Sequence, residues 1–431
     1  MFLTDLMISL KENRDLINSS KLQGFVTPCY DGNCISNIPD TVFKLFKLRY
    51  HNPLRIDSIY DVGEDTENII LLLLDGVGFR LLEHAESRFR VPSIDSTFSR
   101  SFNGSITSVF PSTTATALTT LNTGLTPQEH GILGYTSYFR NFGSIVNMLK
   151  FAPISNEEVS LFDGGMEPWM IVPGITIHEK LRKEGIDPYM YVSNSIRDNG
   201  LSNVVNRGAE VVPHFSAADM FVQLRKNLVR KKTGTFHFAY LSTPDRIAHM
   251  RGPFTEEFGE EVNSILYSLK NELFDKLDSE VGKKTSIIIS ADHGHAQVSR
   301  ENMFDLAKSR ELSDMLARPP TGDSRAFFMS AKSGCSEAII DYFGSYLGNL
   351  FSVFRSKDLL DMGILGEGIP STETVDRIGD IVAVARNDAA FENSFLSTIQ
   401  KSNGTWQEGR HGGLSENEML VPLIASRLNS P

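Results

Sequence analysis

The residues best suited to chemistry in this sequence are hydroxyls, carboxylates and imidazoles gathered at five places. Residues 108–135 read SVFPSTTATALTTLNTGLTPQEHGILGY and crowd seven threonines and two serines into one turn and one short helix. The pattern predicts a helix over 113–123, closed by Gly124, with Pro127 beyond it as a stop signal. The first turn of such a helix carries free N–H groups and the positive end of the dipole, an arrangement that receives anions. A threonine there that gives up its hydroxyl proton to a metal is a competent nucleophile toward phosphorus. On chemistry alone Ser112, Thr113, Thr114 and Thr116 are all candidates.

The other four places hold metal-ligand types. Asp75 closes the run IILLLLD and is followed by Gly76 and Gly78, which let the backbone turn sharply. Asp245 and His249 stand four apart in PDRIAHMRGP, so one helical turn presents both on one face. Asp292 and His293 follow TSIIISA in ADHGH, and His411 lies in the glycine-flanked stretch GRHGG. Taken singly, each histidine reads equally as a hydrogen-bonded structural group. Together, three carboxylates and three imidazoles suit two zinc-like ions better than one, because tetrahedral zinc takes four ligands. Mixed His/carboxylate sets also admit manganese or iron.

The elements that must position these residues alternate in type. The continuous apolar runs 68–74, 189–193, 236–242 and 285–291 predict buried strands, and 176–185 and 256–277 predict amphipathic helices between them. Buried strands alternating with helices imply an α/β fold with a mostly parallel central sheet covered on both faces. A parallel sheet places Asp75, Asp245 and Asp292 at one edge, beyond the carboxyl ends of the strands, where open α/β sheets bind ligands. The rhythm changes after about residue 318. Residues 318–372 read as an inserted α+β subdomain in a catalytic core of 1–317 plus 373–431, with DIVAVAR (380–386) returning to the main sheet.

Bulk properties narrow the partners. The 431 residues are 41% hydrophobic and 22% charged, ordinary for a chain that buries a large core. A net charge of −11 favours neither a nucleic-acid polymer nor an anionic membrane as the main partner. The first twenty residues lack a basic n-region and a sustained apolar run, and read as an amphipathic helix rather than a signal peptide. No apolar run is long enough to span a bilayer. Cys29, Cys34 and Cys335 read as ordinary thiols, and the expected setting is cytoplasmic.

In their order, LLLLDGVG, VFPSTTATALTTLNTGLTPQEHG, LSTPDRIAHMRGP, ISADHGH and GRHGGLSENEMLVPLI resemble the alkaline phosphatase superfamily, closest to its type I phosphodiesterase/nucleotide pyrophosphatase branch. The resemblance implies that Asp75, Thr114, Asp292 and His293 surround one divalent ion, while Asp245, His249 and His411 hold another, both zinc by preference. It selects Thr114 as nucleophile, three residues after the FP proline and ten before the glycine of TG. The implied reaction is in-line displacement through a phospho-threonine ester, followed by hydrolysis. The implied substrate is a small phosphodiester or a nucleotide with a pyrophosphate-type bond. The family's phosphodiesterases usually carry an Asn three residues after the nucleophile, where this chain has Ala117. Thr113, Thr116, Tyr135 and His295 stand as further substrate contacts. No Arg lies within 108–135 to meet the extra charge of a monoester. The alternatives are a phosphomonoesterase or phosphonate hydrolase of the same superfamily, or a metal-binding pseudoenzyme serving as an interaction module.

Overall fold

A computed structural model describes residues 20–62, 65–89, 101–198, 200–392, 394 and 406–428. The amphipathic helix expected over the first twenty residues falls, but for Ser20, outside them. The apolar runs become strands of one seven-stranded sheet. Thr285–Ser290, Asn68–Leu74, Thr235–Leu241, Asp187–Ser193 and Glu210–His214 lie side by side and parallel. All seven residues of Asn68–Leu74 are buried, as a central strand covered on both faces requires. Each fully buried Leu or Ile contributes about 1.5–3 kcal/mol of apolar burial, so this run anchors the core.

Leu420–Arg427 adds antiparallel to Thr285–Ser290, and Ser101–Thr107 adds antiparallel to Leu420–Arg427. Two reversals restore the original direction. The carboxyl end of Ser101–Thr107 therefore falls on the same sheet edge as those of the parallel strands, which is how the threonine-rich stretch reaches the carboxylates. Helices flank the sheet through apolar stripes at helical spacing. In Ala217–Lys231 these are Met220, Phe221, Leu224 and Leu228.

The region after residue 318 departs from expectation. Ala326–Met329, Phe351–Arg355 and the helices Ser336–Tyr342 and Ser356–Asp361 form much as the pattern suggests. Ile381–Ala385, however, does not return to the main sheet. It pairs antiparallel with both Phe351–Arg355 and Ala326–Met329. The resulting second sheet continues through Thr321–Gly322 into Thr136–Phe139, Ser144–Asn147 and Ala152–Pro153. Residues 318–372 are thus not a self-contained insertion. Their strands share one sheet with the segment that follows the threonine-rich stretch, and a run such as IVAVA is apolar enough to be central in either sheet.

Candidate active site

The hydroxyl crowd sorts itself by partner. The helix runs Thr114–Thr123, with Thr113 as an extended N-cap and Gly124 as a left-handed C-cap. Thr119 and Thr123 donate to carbonyls one turn back, and Thr120 meets His130. Ser108 donates to the Asp292 carbonyl, and Ser112 donates to the Gly413 carbonyl at 2.7 Å. Thr113 is buried and its hydroxyl is hydrogen-bonded to Asp323. Thr114, at the first helical position, places Oγ1 3.1 Å from His293 Nε2.

Around that contact lies the first donor group, Asp75, Asp292 and His293. Asp75 Oδ2 accepts the Tyr240 hydroxyl proton. Asp292 Oδ1 accepts the N–H groups of Gly76 and His293 at 3.1 and 2.9 Å. The other oxygen of each carboxylate, Asp75 Oδ1 and Asp292 Oδ2, is buried without a hydrogen-bond partner. Those two atoms face His293 Nε2 at 3.6 and 3.5 Å. Burial and the neighbouring Asp292 push the Asp75 carboxyl well above the usual range. Two buried carboxylates with orphaned oxygens converging on one imidazole nitrogen and one hydroxyl are a donor set that fits a divalent cation.

The second group centres on Asp245 Oδ1, which faces Nε2 of His249, His295 and His411 at 3.4, 2.8 and 3.7 Å. His249 Nδ1 lies 2.7 Å from the Gly409 carbonyl, and His411 Nδ1 lies 3.2 Å from that of Ser112. A ring that donates from Nδ1 to a carbonyl presents an unprotonated Nε2, as a metal ligand must. Burial, with His293 and His249 close by, holds His411 well below the usual imidazole range. Burial alone would raise Asp245, but His249, His295 and His411 together outweigh it and keep the carboxyl well below its usual range. The expected residues Asp75, Thr114, Asp245, His249, Asp292, His293 and His411 therefore lie in one cleft at the sheet edge.

His295 differs from its neighbours. It is fully buried, its Nδ1 has no partner, and its Nε2 donates to Asp245. Gly76, at φ 72°, leaves room for it, since a Cβ there would come within 2.8 Å of His295 Nε2. Expected as a substrate contact, His295 instead supports a carboxylate. Thr116 is likewise reassigned: it is fully buried and its hydroxyl accepts the Gly134 N–H at 3.0 Å. Tyr135 is half-buried. Its N–H donates to Asp323 at 2.9 Å, and its hydroxyl accepts from Asn147 at 2.8 Å. Ala117 is fully buried in the main core. Cys29, Cys34 and Cys335 are free thiols.

Two groups beside the site escaped the sequence reading. Tyr240 sits in an apolar strand and looks like core. Asp323 reaches in from the second sheet, and burial pushes its carboxyl up to about 7. Only the pairing of strands far apart in sequence brings either one here.

The family model for type I phosphodiesterase / nucleotide pyrophosphatase matches residues 69–414. No curated protein sequence matches the chain at a significant level. Among solved structures, murine ectonucleotide pyrophosphatase/phosphodiesterase 5 aligns at 18% identity and TM-score 0.61, covering 84% of this chain and 89% of that one. An inactive variant of that murine protein, in complex with AMP, aligns at 16% identity and TM-score 0.58, covering 84% and 90%. Phosphonoacetate hydrolase from Sinorhizobium meliloti 1021, in complex with phosphonoformate, aligns at 18% identity and TM-score 0.59, covering 84% and 91%. At such identities the likeness is one of fold, α/β with a large central sheet flanked by helices.

Proposed function

We propose, for a chain that belongs to the type I phosphodiesterase / nucleotide pyrophosphatase family of phosphoric ester hydrolases, a two-cation hydrolase of small phosphodiesters or nucleotide pyrophosphate-type bonds with Thr114 as nucleophile. The observation that carries this reading is the pair of orphaned oxygens, Asp75 Oδ1 and Asp292 Oδ2, facing the nitrogen that also meets the Thr114 hydroxyl. Asp75, Asp292 and His293, with Thr114, would hold one divalent ion, and Asp245, His249 and His411 the other. When bound, such ions supply charge stabilisation at phosphoryl oxygens and acidify the attacking hydroxyl.

The chain's own groups do the rest. The helix that begins at Thr114 offers its unpaired N-terminal N–H groups to a phosphoryl oxygen. Thr114 Oγ1 loses its proton and bonds to phosphorus as the ester oxygen opposite departs with its electron pair. Water then cleaves the threonyl ester, releasing the phosphate product and returning the proton to Thr114.

A monoanionic diester suits the surroundings better than a dianionic monoester. Arg80 is engaged by Glu83 and Glu416, and Arg140 by Asp376, so neither is a free partner for extra charge. The murine neighbour bound to AMP supports a nucleotide-sized substrate, and the phosphonate-bound neighbour supports testing a phosphonate as well.

The deciding experiment incubates purified protein with Zn2+ or Mn2+ and compares bis-p-nitrophenyl phosphate, p-nitrophenyl phosphate, a nucleotide diester and phosphonoacetate. Faster turnover of the diesters is expected. Preference for the monoester or phosphonoacetate overturns the choice of bond, and at most one bound ion per chain at saturation overturns the two-cation reading.

A further inference from the structure

Arg325 and Glu418 form an ion pair with both side chains fully buried. Arg325 Nη2 lies 2.9 Å from Glu418 Oε2 and Nε lies 3.2 Å from Oε1, a two-point fork. The remaining guanidinium nitrogen, Nη1, donates to the carbonyls of Asn387 and Ala389. Arg325 stands at the head of the Ala326–Met329 strand of the second sheet, whereas Glu418 belongs to the short helix Glu416–Met419 that leads into the main sheet. The pair therefore joins the two sheets.

What Glu418 does with its other lone pairs matters more. Oε1 accepts the Gly413 N–H at 2.8 Å, and Oε2 accepts from the Ser415 hydroxyl and N–H. Gly413 in turn receives the Ser112 hydroxyl on its carbonyl, and the Ser112 carbonyl faces His411 Nδ1 at 3.2 Å. The Glu418 carbonyl accepts the Gly294 N–H at 2.9 Å, one residue beyond His293. Gly294 is packed so closely that a Cβ would come within 2.0 Å of the Asn417 carbonyl oxygen. One carboxylate thus sits at the junction of the His411 loop, the Asp292–His293 loop and the turn before the nucleophile.

We propose that Arg325 is a positioning residue: it locks Glu418, and Glu418 fixes the loop that sets His411 Nε2 toward Asp245. The second sheet is then part of the cation site's framework. This rests on the reading of His411 as a ligand. A purely structural role for the pair is the alternative, and magnitude separates the two. Replacing both partners of a buried ion pair by apolar residues of similar volume is often neutral for stability, whereas removing one leaves a charge buried alone. Removing both should spare the fold while freeing the Gly413 N–H and loosening His411.

The test titrates Zn2+ alone into wild-type protein and the Arg325→Met/Glu418→Met double variant against a competing chelator dye, with thermal melting alongside. The expected result is a near-native melting temperature, one ion bound as in wild type and the other weakened by about 10–100-fold. Wild-type affinity for both ions in the folded double variant overturns the proposal. Should the double variant not fold, Arg325→Lys keeps the charge but removes the fork. The same titration then decides, with the weaker ion selectively lost in support and both affinities unchanged in refutation. Wild-type protein that binds no divalent ion overturns the functional reading itself, and this inference with it.

Discussion

Thr114 Oγ1 lies 3.1 Å from His293 Nε2, while the adjacent Thr113 turns its hydroxyl to Asp323. One residue of register separates a hydroxyl facing the cation donors from one spent on a structural bond. Thr114→Ala should therefore lose at least about 10³-fold in kcat on a diester while binding divalent ions. Thr113→Ala should retain turnover. Steady-state assays on the two variants check this, and the reverse ranking would place the nucleophile at Thr113.

Tyr240 donates its hydroxyl proton to Asp75 Oδ2, leaving Oδ1 as the oxygen that faces His293. Tyr240→Phe keeps the ring in the core but leaves a buried carboxylate oxygen without its donor. Outer partners of this kind are worth about 10–100-fold in metal affinity. Equilibrium dialysis should show that loss, and activity should recover as the metal concentration rises. Unchanged affinity would mean that Asp75 is held without the tyrosine.

His295 presents a proton, not a lone pair, to the same Asp245 oxygen that faces His249 and His411. Its 2.8 Å separation is a hydrogen-bond length, shorter than the 3.4 and 3.7 Å of the other two imidazoles. His295→Gln retains an N–H donor and should keep much of the ion affinity. His295→Leu should lose it. The spectrum of bound Co2+ is the discriminating readout: equal change in both variants would make His295 a ligand itself.

The parts of the site legible in the sequence share one property. Asp75, Asp245 and Asp292 each follow an apolar run, and the alternation of strands and helices alone says that such runs end at a common edge. The second sheet lacked that clue, because the partners of Ile381–Ala385 are chosen by antiparallel pairing across intervening helices. Tyr240 was hidden among core residues since its partner Asp75 is 165 residues away. Ala117 shows the limit of reasoning by spacing. Its absent amide looked like a missing phosphate donor, yet the position is packed in the main core, where an Asn would bury an amide and overpack its neighbours.

Three imidazoles outside the site make a prediction about stability. His130, His178 and His237 are fully buried, and burial pushes each down to about 3. Unfolded, each takes up its proton near the ordinary value of about 6.5. Between those values the unfolded chain binds more protons than the folded one. The stability present above pH of about 6.5 is accordingly lost as pH falls toward 3. His178 isolates one such group. Its Nε2 meets Asn122 Oδ1 at 2.8 Å, far in sequence from the cation donors. Calorimetric unfolding at pH of about 5, in two buffers of different ionisation heat, counts the protons taken up. His178→Asn should take up about one proton fewer than wild type. An equal count would mean that His178 is already charged in the folded protein, against the desolvation that its burial imposes.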